Sequence, residues 1–204
     1  MRPQLSATSL MKYLHVSATS PAAVGTEAHT LRSNYGAEYS PARDWWRGMR
    51  VALTVDRRTT RDGQALRAAA TNVRDPKKKP LYSAMADAWP DVAERWAQHA
   101  HAPVRPVTIT LGGLDVRVSP SFCEHNADGA EVVIVSFTER KIDDTAIDGV
   151  LRLLQCAYPD TEAAFVDLRR PGRVRTTHGR DLEHLDGWLE SAAVYLAHVL
   201  SEAA

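Results

Sequence analysis

The sequence predicts an α/β fold, a small mixed central sheet flanked by helices, with an N-terminal helical part. Three observations predict it. The β-branched stretch Val107–Leu111 meets the alternating stretch Leu114–Val118 across Gly112-Gly113, the mark of a hairpin with one buried face. Residues 131–137 form an almost continuous apolar run, as expected of a strand covered on both sides. Residues 145–157 and 181–203 carry apolar side chains at helical spacing.

The elements follow in order. Residues 6–15 predict a short helix, with Ser6 or Thr8 as cap and Leu10, Tyr13 and Leu14 on one face. Residues 16–24 read as a loop. A second helix is expected from Gly25-Thr26 to Tyr35, capped by Thr26 and stopped by Gly36. Residues 41–102 read as a largely helical insertion. Residues 61–72 are rich in Ala, a strong helix former. Two prolines and three lysines break the pattern at 75–80, and a helix resumes over 81–100. Pro90 is a point where that helix could split, and Trp89 and Trp96 are expected on its core side. After the hairpin, a turn at 126–129 leads into the central strand. Ile147, Val150, Leu151 and Leu154 then line the helix of 145–157. A strand at 163–168, a Pro171-Gly172 turn and a strand at 173–177 precede the closing helix.

Length and composition set bounds on function. The 204 residues, 44% hydrophobic and 25% charged, suit one globular domain over 1–204 with a sheet-bearing core at 103–204. No run approaches the ~18 apolar residues of a membrane span. Ser6, Thr8 and Ser9 interrupt any signal-peptide pattern. Cys123 and Cys156 are too few for a disulfide framework, so a cytoplasmic protein without a membrane partner is expected. Cys156 reads as a core thiol.

The formal net charge of zero conceals an asymmetry. Residues 41–80 carry eleven Lys/Arg against four Asp, whereas residues 142–204 carry eleven acids against six bases. The basic block holds Arg43, Arg47, Arg50, Arg57, Arg58, Arg61, Lys77, Lys78 and Lys79 beside Trp45 and Trp46. Cations next to aromatic rings suit nucleic-acid backbones and bases, DNA or RNA. The competing reading is a solvated surface that pairs with the acidic C-terminal part.

Several local patterns together resemble one family. Residues 6–15 resemble an opening helix of the form Ser-x-Ser-x-Leu-x-x-Tyr-Leu, and Gly25-Thr-Glu-Ala-His29 a Gly-x-x-x-His helix start. Gly112-Gly-Leu-Asp115 resembles a Gly-x-Ile-Asp strand. Leu151 to Leu168, then a Gly turn and a long helix, resemble a crossover helix, fourth strand and closing helix. On these residues the chain resembles a RecB-like nuclease domain of the PD-(D/E)XK superfamily, which implies a restriction-endonuclease-like sheet. The resemblance implies a Mg²⁺ or Mn²⁺ site that activates water, with Asp115 and His29 as metal ligands. It also implies an acid-x-Lys pair on the next strand. Here that strand reads Ile134-Val-Ser-Phe-Thr138, without acid or lysine. Glu139 and Lys141, just beyond, are the displaced substitutes. Val16-Ser17 stands where iron–sulfur relatives carry Cys-Pro, so no cluster is implied.

Each of these residues has a simpler role available. An Asp after Gly-Gly often only accepts from nearby backbone N–H groups. A His at a helix start is commonly surface or packing. The expected function is therefore a degenerate nuclease-fold protein that binds nucleic acid or a partner without efficient cleavage. The alternatives are an active Mg²⁺- or Mn²⁺-dependent DNA nuclease with a displaced site using Asp115, Glu139 and Lys141, and an accessory subunit that docks on a larger protein.

Overall fold

The computed structural model describes residues 2–36 and 44–202. Among the described residues, seven α-helices and two mixed sheets make up the fold, in agreement with the α/β expectation.

Strand β1 (Gln4–Ser6) runs parallel to β4 (Leu114–Val118), which pairs antiparallel with β3 (Val107–Leu111). This sheet has the order β1-β4-β3. The second sheet has the order β2-β5-β6-β7-β8, with β2 Ala100–Ala102, β5 Phe122–Asn126, β6 Gly129–Ser136, β7 Thr161–Asp167 and β8 Val174–Thr176. Strands β6 and β7 are parallel, with Ser136 opposite Asp167 at their C-terminal ends. The other pairs in that sheet are antiparallel. A parallel pair needs a crossover, and α6 (Asp144–Ala157) supplies it.

The central strands divide the core by strand alternation. Val132 and Ile134 of β6, with Ala163 and Phe165 of β7, face one cluster built with α1 (Ala7–Thr19), α6 and α7 (Asp186–Ser201). Val133, Val135, Ala164 and Val166 face the other, built with α3 (Arg47–Arg58), α4 (Gln64–Asn72) and α5 (Lys79–Ala93). Burial on both sides explains the unbroken apolar run. Trp89 and Trp96 are fully buried, as expected.

Several boundaries differ from expectation. Ser6 caps α1 by accepting from Ser9 N–H at 3.1 Å, but α1 continues to Thr19 through what read as a loop. The Thr19 hydroxyl donates back to the His15 carbonyl at 2.7 Å, so its polarity does not break the helix. Helix α2 (Val24–Ser33) grows out of a 3₁₀ turn, Pro21–Ala23, and has no side-chain cap, so Thr26 lies inside it. Pro90 lies within α5 without ending it. The closing helix starts at Asp186, after a 3₁₀ turn, not at 181. Cys156 is exposed, not a core thiol, because it lies on the outward side of α6.

The two oppositely charged regions do not pair with each other in any described salt bridge. Acids of the C-terminal region pair mostly with its own arginines: Arg175 and Arg180 with Asp148, and Arg152 with Asp186. Bases of the 41–80 block pair with Asp44 and Glu124.

Candidate functional site

A cleft of about 570 Å³ opens at the C-terminal end of β6, where open α/β sheets commonly hold ligands. Ile134 to Glu139 form one wall. Thr8, Met11 and Lys12 of α1 form another. Trp45, Trp46, Arg50, Ser119, Ser121 and Arg169, with the apolar Leu81 and Ile142, complete the cleft.

Its walls are largely apolar, and its polar groups are mostly donors. Lys12, Arg50 and Arg169 face a single acid of the lining, Glu139. Ser121 Oγ accepts from Val135 N–H at 3.0 Å, which leaves its O–H to donate. Ser136 Oγ accepts from Thr138 N–H at 3.4 Å in the same manner. Such a set suits an anionic ligand rich in acceptor oxygens.

The two tryptophans differ. Trp46 stacks on Tyr82 and Phe137, with ring centroids 5.8 and 6.1 Å away and planes tilted by 22°. Arg169 also lies 5.9 Å from its ring. Trp46 is therefore a wall of the cleft and not a free platform, contrary to its expected stacking role. Trp45 is 37% exposed and packs edge-on to Trp46. Lys78 Nζ lies 4.8 Å from its ring centroid, a cation–π contact that steadies the side chain.

The other basic candidates fall into distinct places. Arg57 is a correction: it is only 1% exposed, and its Nε donates to Glu124 at 2.8 Å, so it cannot meet phosphate. Arg61 is partly buried on the other Glu124 oxygen, also at 2.8 Å. Arg50 pairs with Asp44 at the cleft rim. Arg47 and Arg58 stand exposed on α3, and Lys77 and Lys79 are exposed at the start of α5. Arg43 lies outside the described residues.

The metal and catalytic candidates do not converge. Asp115 sits half-buried on β4, in the other sheet, and accepts from the Thr110 hydroxyl at 2.8 Å. His29 is exposed on α2. Glu139 lines the cleft, and Lys141 is exposed in the same loop. Arg170 holds this loop by donating to the Glu139 carbonyl at 2.6 Å. Among the described residues, no group of three or more His, Cys, Asp or Glu side chains could hold a metal ion.

Sequence reasoning did not find Lys12, Arg169, Ser121 or Ser136. Ser136 did carry a signal, since it interrupts an otherwise apolar run. Lys12 follows Thr8 by one helical turn, opposite the Leu10 and Leu14 face, a pattern common to any surface helix.

No family description, no curated protein and no solved structure matches the chain. Nor is any helix among the described residues long and apolar enough to cross a membrane.

Proposed function

We propose that the protein binds nucleic acid in the cleft at the end of β6 and does not cleave it, as a degenerate relative of RecB-like PD-(D/E)XK nucleases. One observation carries this reading: Lys12 and Arg169, Arg50 at the rim on Asp44, donor hydroxyls and one accessible indole line a cleft whose lining includes a single acid, Glu139. Lys12, Arg50 and Arg169 neutralise phosphate, and Trp45 stacks on a base. The scattered positions of His29, Asp115 and Lys141 support binding over hydrolysis, because phosphodiester cleavage of this type needs metal and acids at one point. The two unpaired thiols fit a reducing, cytoplasmic setting.

A fluorescence-anisotropy titration across a salt series tests the reading. Three phosphate contacts give a slope of log affinity on log salt of about −2 for a single strand and about −2.7 for a duplex. Lys12→Ala and Arg169→Ala each lower the slope by about one contact's worth. Binding that ignores salt, or that survives the Lys12→Ala/Arg50→Ala/Arg169→Ala triple substitution, contradicts it.

A further inference from the structure

We infer that this chain forms a two-fold symmetric dimer in which β3 of one copy pairs antiparallel with β3 of the other, joining two three-stranded sheets into one. The order β1-β4-β3 leaves β3 as an edge, and among the described residues no strand covers it. The other edge strands, β1, β2 and β8, have three residues each, whereas β3 has five. Edges are usually blunted by a charge, a proline or a bulge. Val107-Thr-Ile-Thr-Leu111 has no charge and no proline, and it pairs with β4 one residue to one. Thr108 and Thr110 keep free main-chain groups. Asp115 N–H donates to the Pro3 carbonyl at 2.9 Å, so Asp115 bonds towards β1. Its partner on β3, Thr110, therefore turns its own N–H and C=O away from β4. By the same alternation Thr108 does so too, while Ile109 bonds β4. No other described hydrogen bond reaches the main chain of Thr108 or Thr110.

A second copy fits this edge because the strand reads nearly alike in both directions. Antiparallel pairing about Ile109 sets Thr108 opposite Thr110 of the other copy, and Thr110 opposite its Thr108. These are the residues with free main-chain groups, so each pair exchanges both N–H···O bonds. A shift of one residue would set those groups against residues already bonded to β4. A shift of two would bring Pro106, which has no N–H, or the Gly112 turn opposite a threonine. In the favoured register Ile109 meets Ile109 and Val107 meets Leu111, on the face that packs on α6 and α7. Threonine pairs cover the other face. An isologous two-fold interface requires this self-complementarity.

The surroundings of the edge are complementary as well. A groove of about 610 Å³ runs beside β3, lined by Ile109, Leu111, Leu153 and Leu189, with Glu190 at its margin. Val107 and Ile109 of the other copy lie over its mouth. Asp186, also in the lining, is already paired with Arg152, but Glu190 has no ion-pair partner among the described residues. Arg105, exposed just before β3, has none either. In the register above, Arg105 lies opposite Gly113 of the other copy. The adjoining Gly112 lies against Glu190, whose carbonyl oxygen would be 2.8 Å from an added Cβ. Each Arg105 thus arrives at the unpaired Glu190 of the other copy. Arg2 reaches the Thr110 hydroxyl at 3.4 Å from the opposite face, clear of the groove. Zero total charge removes general repulsion between copies. A single strand pair lies at the small end of specific interfaces, so the dimer is weak and concentration-dependent. None of this depends on the nucleic-acid reading.

Sedimentation velocity on nucleic-acid-free protein, from 5 to 500 μM, is the test, and a monomer–dimer equilibrium with nothing larger is expected. Thr108→Pro removes an N–H that only the dimer uses, on the free side of an edge strand where proline is tolerated. It should keep the fold by circular dichroism and stay monomeric. Arg105→Glu should raise the dimer dissociation constant at least tenfold, and Arg105→Glu/Glu190→Arg should bring it back to within threefold. Oxidation in a Cys156→Ser background reads the register. Ile109→Cys should cross-link to itself, and Thr108→Cys only when mixed with Thr110→Cys, because facing residues alone come within disulfide reach. A wild type that stays monomeric to 500 μM overturns the inference and leaves the edge to a strand of another protein. So does a dimer that Thr108→Pro leaves intact, or one that cross-links through Thr108→Cys alone.

Discussion

Arg57 and Glu124 form a buried ion pair, Nε to Oε1 at 2.8 Å, that ties α3 to β5. Their side chains are 1% and 0% exposed. Arg61 supplies a second cation to Glu124, and Arg57 lies 5.9 and 5.4 Å from the rings of Trp89 and Phe122. Directly across the strand pair, Glu131 accepts from Arg95 at 2.8 Å and from the Trp96 indole at 2.5 Å. Arg57 and Arg61 of the basic block thus serve the junction between the helical part and the sheet, where composition alone suggested a single binding surface.

The first prediction concerns this pair. Breaking a buried ion pair leaves an uncompensated charge, at a cost of about 3–5 kcal/mol. Glu124→Gln and Arg57→Ala should each lower stability by that order in urea denaturation. A loss below ~1 kcal/mol would show that the pair is solvated in solution.

The tryptophans separate structure from binding. Trp45→Ala should weaken oligonucleotide binding, by about 1–3 kcal/mol if its ring stacks on a base, with little change in melting temperature. Trp46→Ala should instead destabilise the fold by about 2–3 kcal/mol, less than for a fully buried aromatic because Trp46 is only partly buried. Equal effects of both substitutions on binding and stability would refute the division of roles.

The turn between β3 and β4 makes an asymmetric prediction for two adjacent glycines. Gly112 has φ 53°, and a Cβ there would lie 2.7 Å from the Val194 backbone nitrogen and 2.8 Å from the Glu190 carbonyl oxygen. Gly113 has φ 79°, and a Cβ would meet nothing nearer than Ala197 at 3.9 Å. Gly113→Ala should cost about 1–2 kcal/mol from backbone strain alone, and Gly112→Ala clearly more. Thermal denaturation of both variants gives the order directly.

Stability should fall on mild acidification. Burial is the main force holding His15 and His101 below their ordinary value of 6.5. His15 Nδ1 also accepts from Asp143 N–H at 3.1 Å, a bond that requires the unprotonated nitrogen. A histidine with a lowered folded pKa binds its proton more readily when unfolded. Its stabilising effect is complete above 6.5 and is lost as pH falls from there through the folded value. The lowered carboxyls of Asp144 and Asp186 follow the same rule, but their loss begins only near 3.8. Denaturation midpoints should therefore drop between pH 7 and pH 5, and less steeply in His15→Gln. A flat profile would contradict the assignment.

Much of the fold was legible because local chemistry decides it. Gly112-Gly113 between alternating stretches could only turn, and the β6 run announced burial on both faces. Three residues of β1, with Leu5 alone turned inward, carry no periodicity to read. The division into two sheets was also hidden, since alternation reveals which side is buried but not which strand is the neighbour. The cleft was partly legible: Trp45, Trp46, Arg50 and Glu139 line it. Lys12 and Arg169 arrive from distant parts of the chain, and only the tertiary structure brings them to β6. Arg57 was misjudged because its buried acceptor, Glu124, lies 67 residues away in sequence.

The most direct test of binding without cleavage is one experiment with two readouts. Purified wild type, Asp115→Ala and Glu139→Gln are incubated with labelled single- and double-stranded DNA and RNA, in Mg²⁺, Mn²⁺ or EDTA. Binding is read by mobility shift and products on a denaturing gel. We predict salt-sensitive shifts that do not require a divalent ion, with the strands intact in every lane. Metal-dependent cutting by wild type that disappears in Asp115→Ala or Glu139→Gln would contradict the account and show an active site displaced rather than lost.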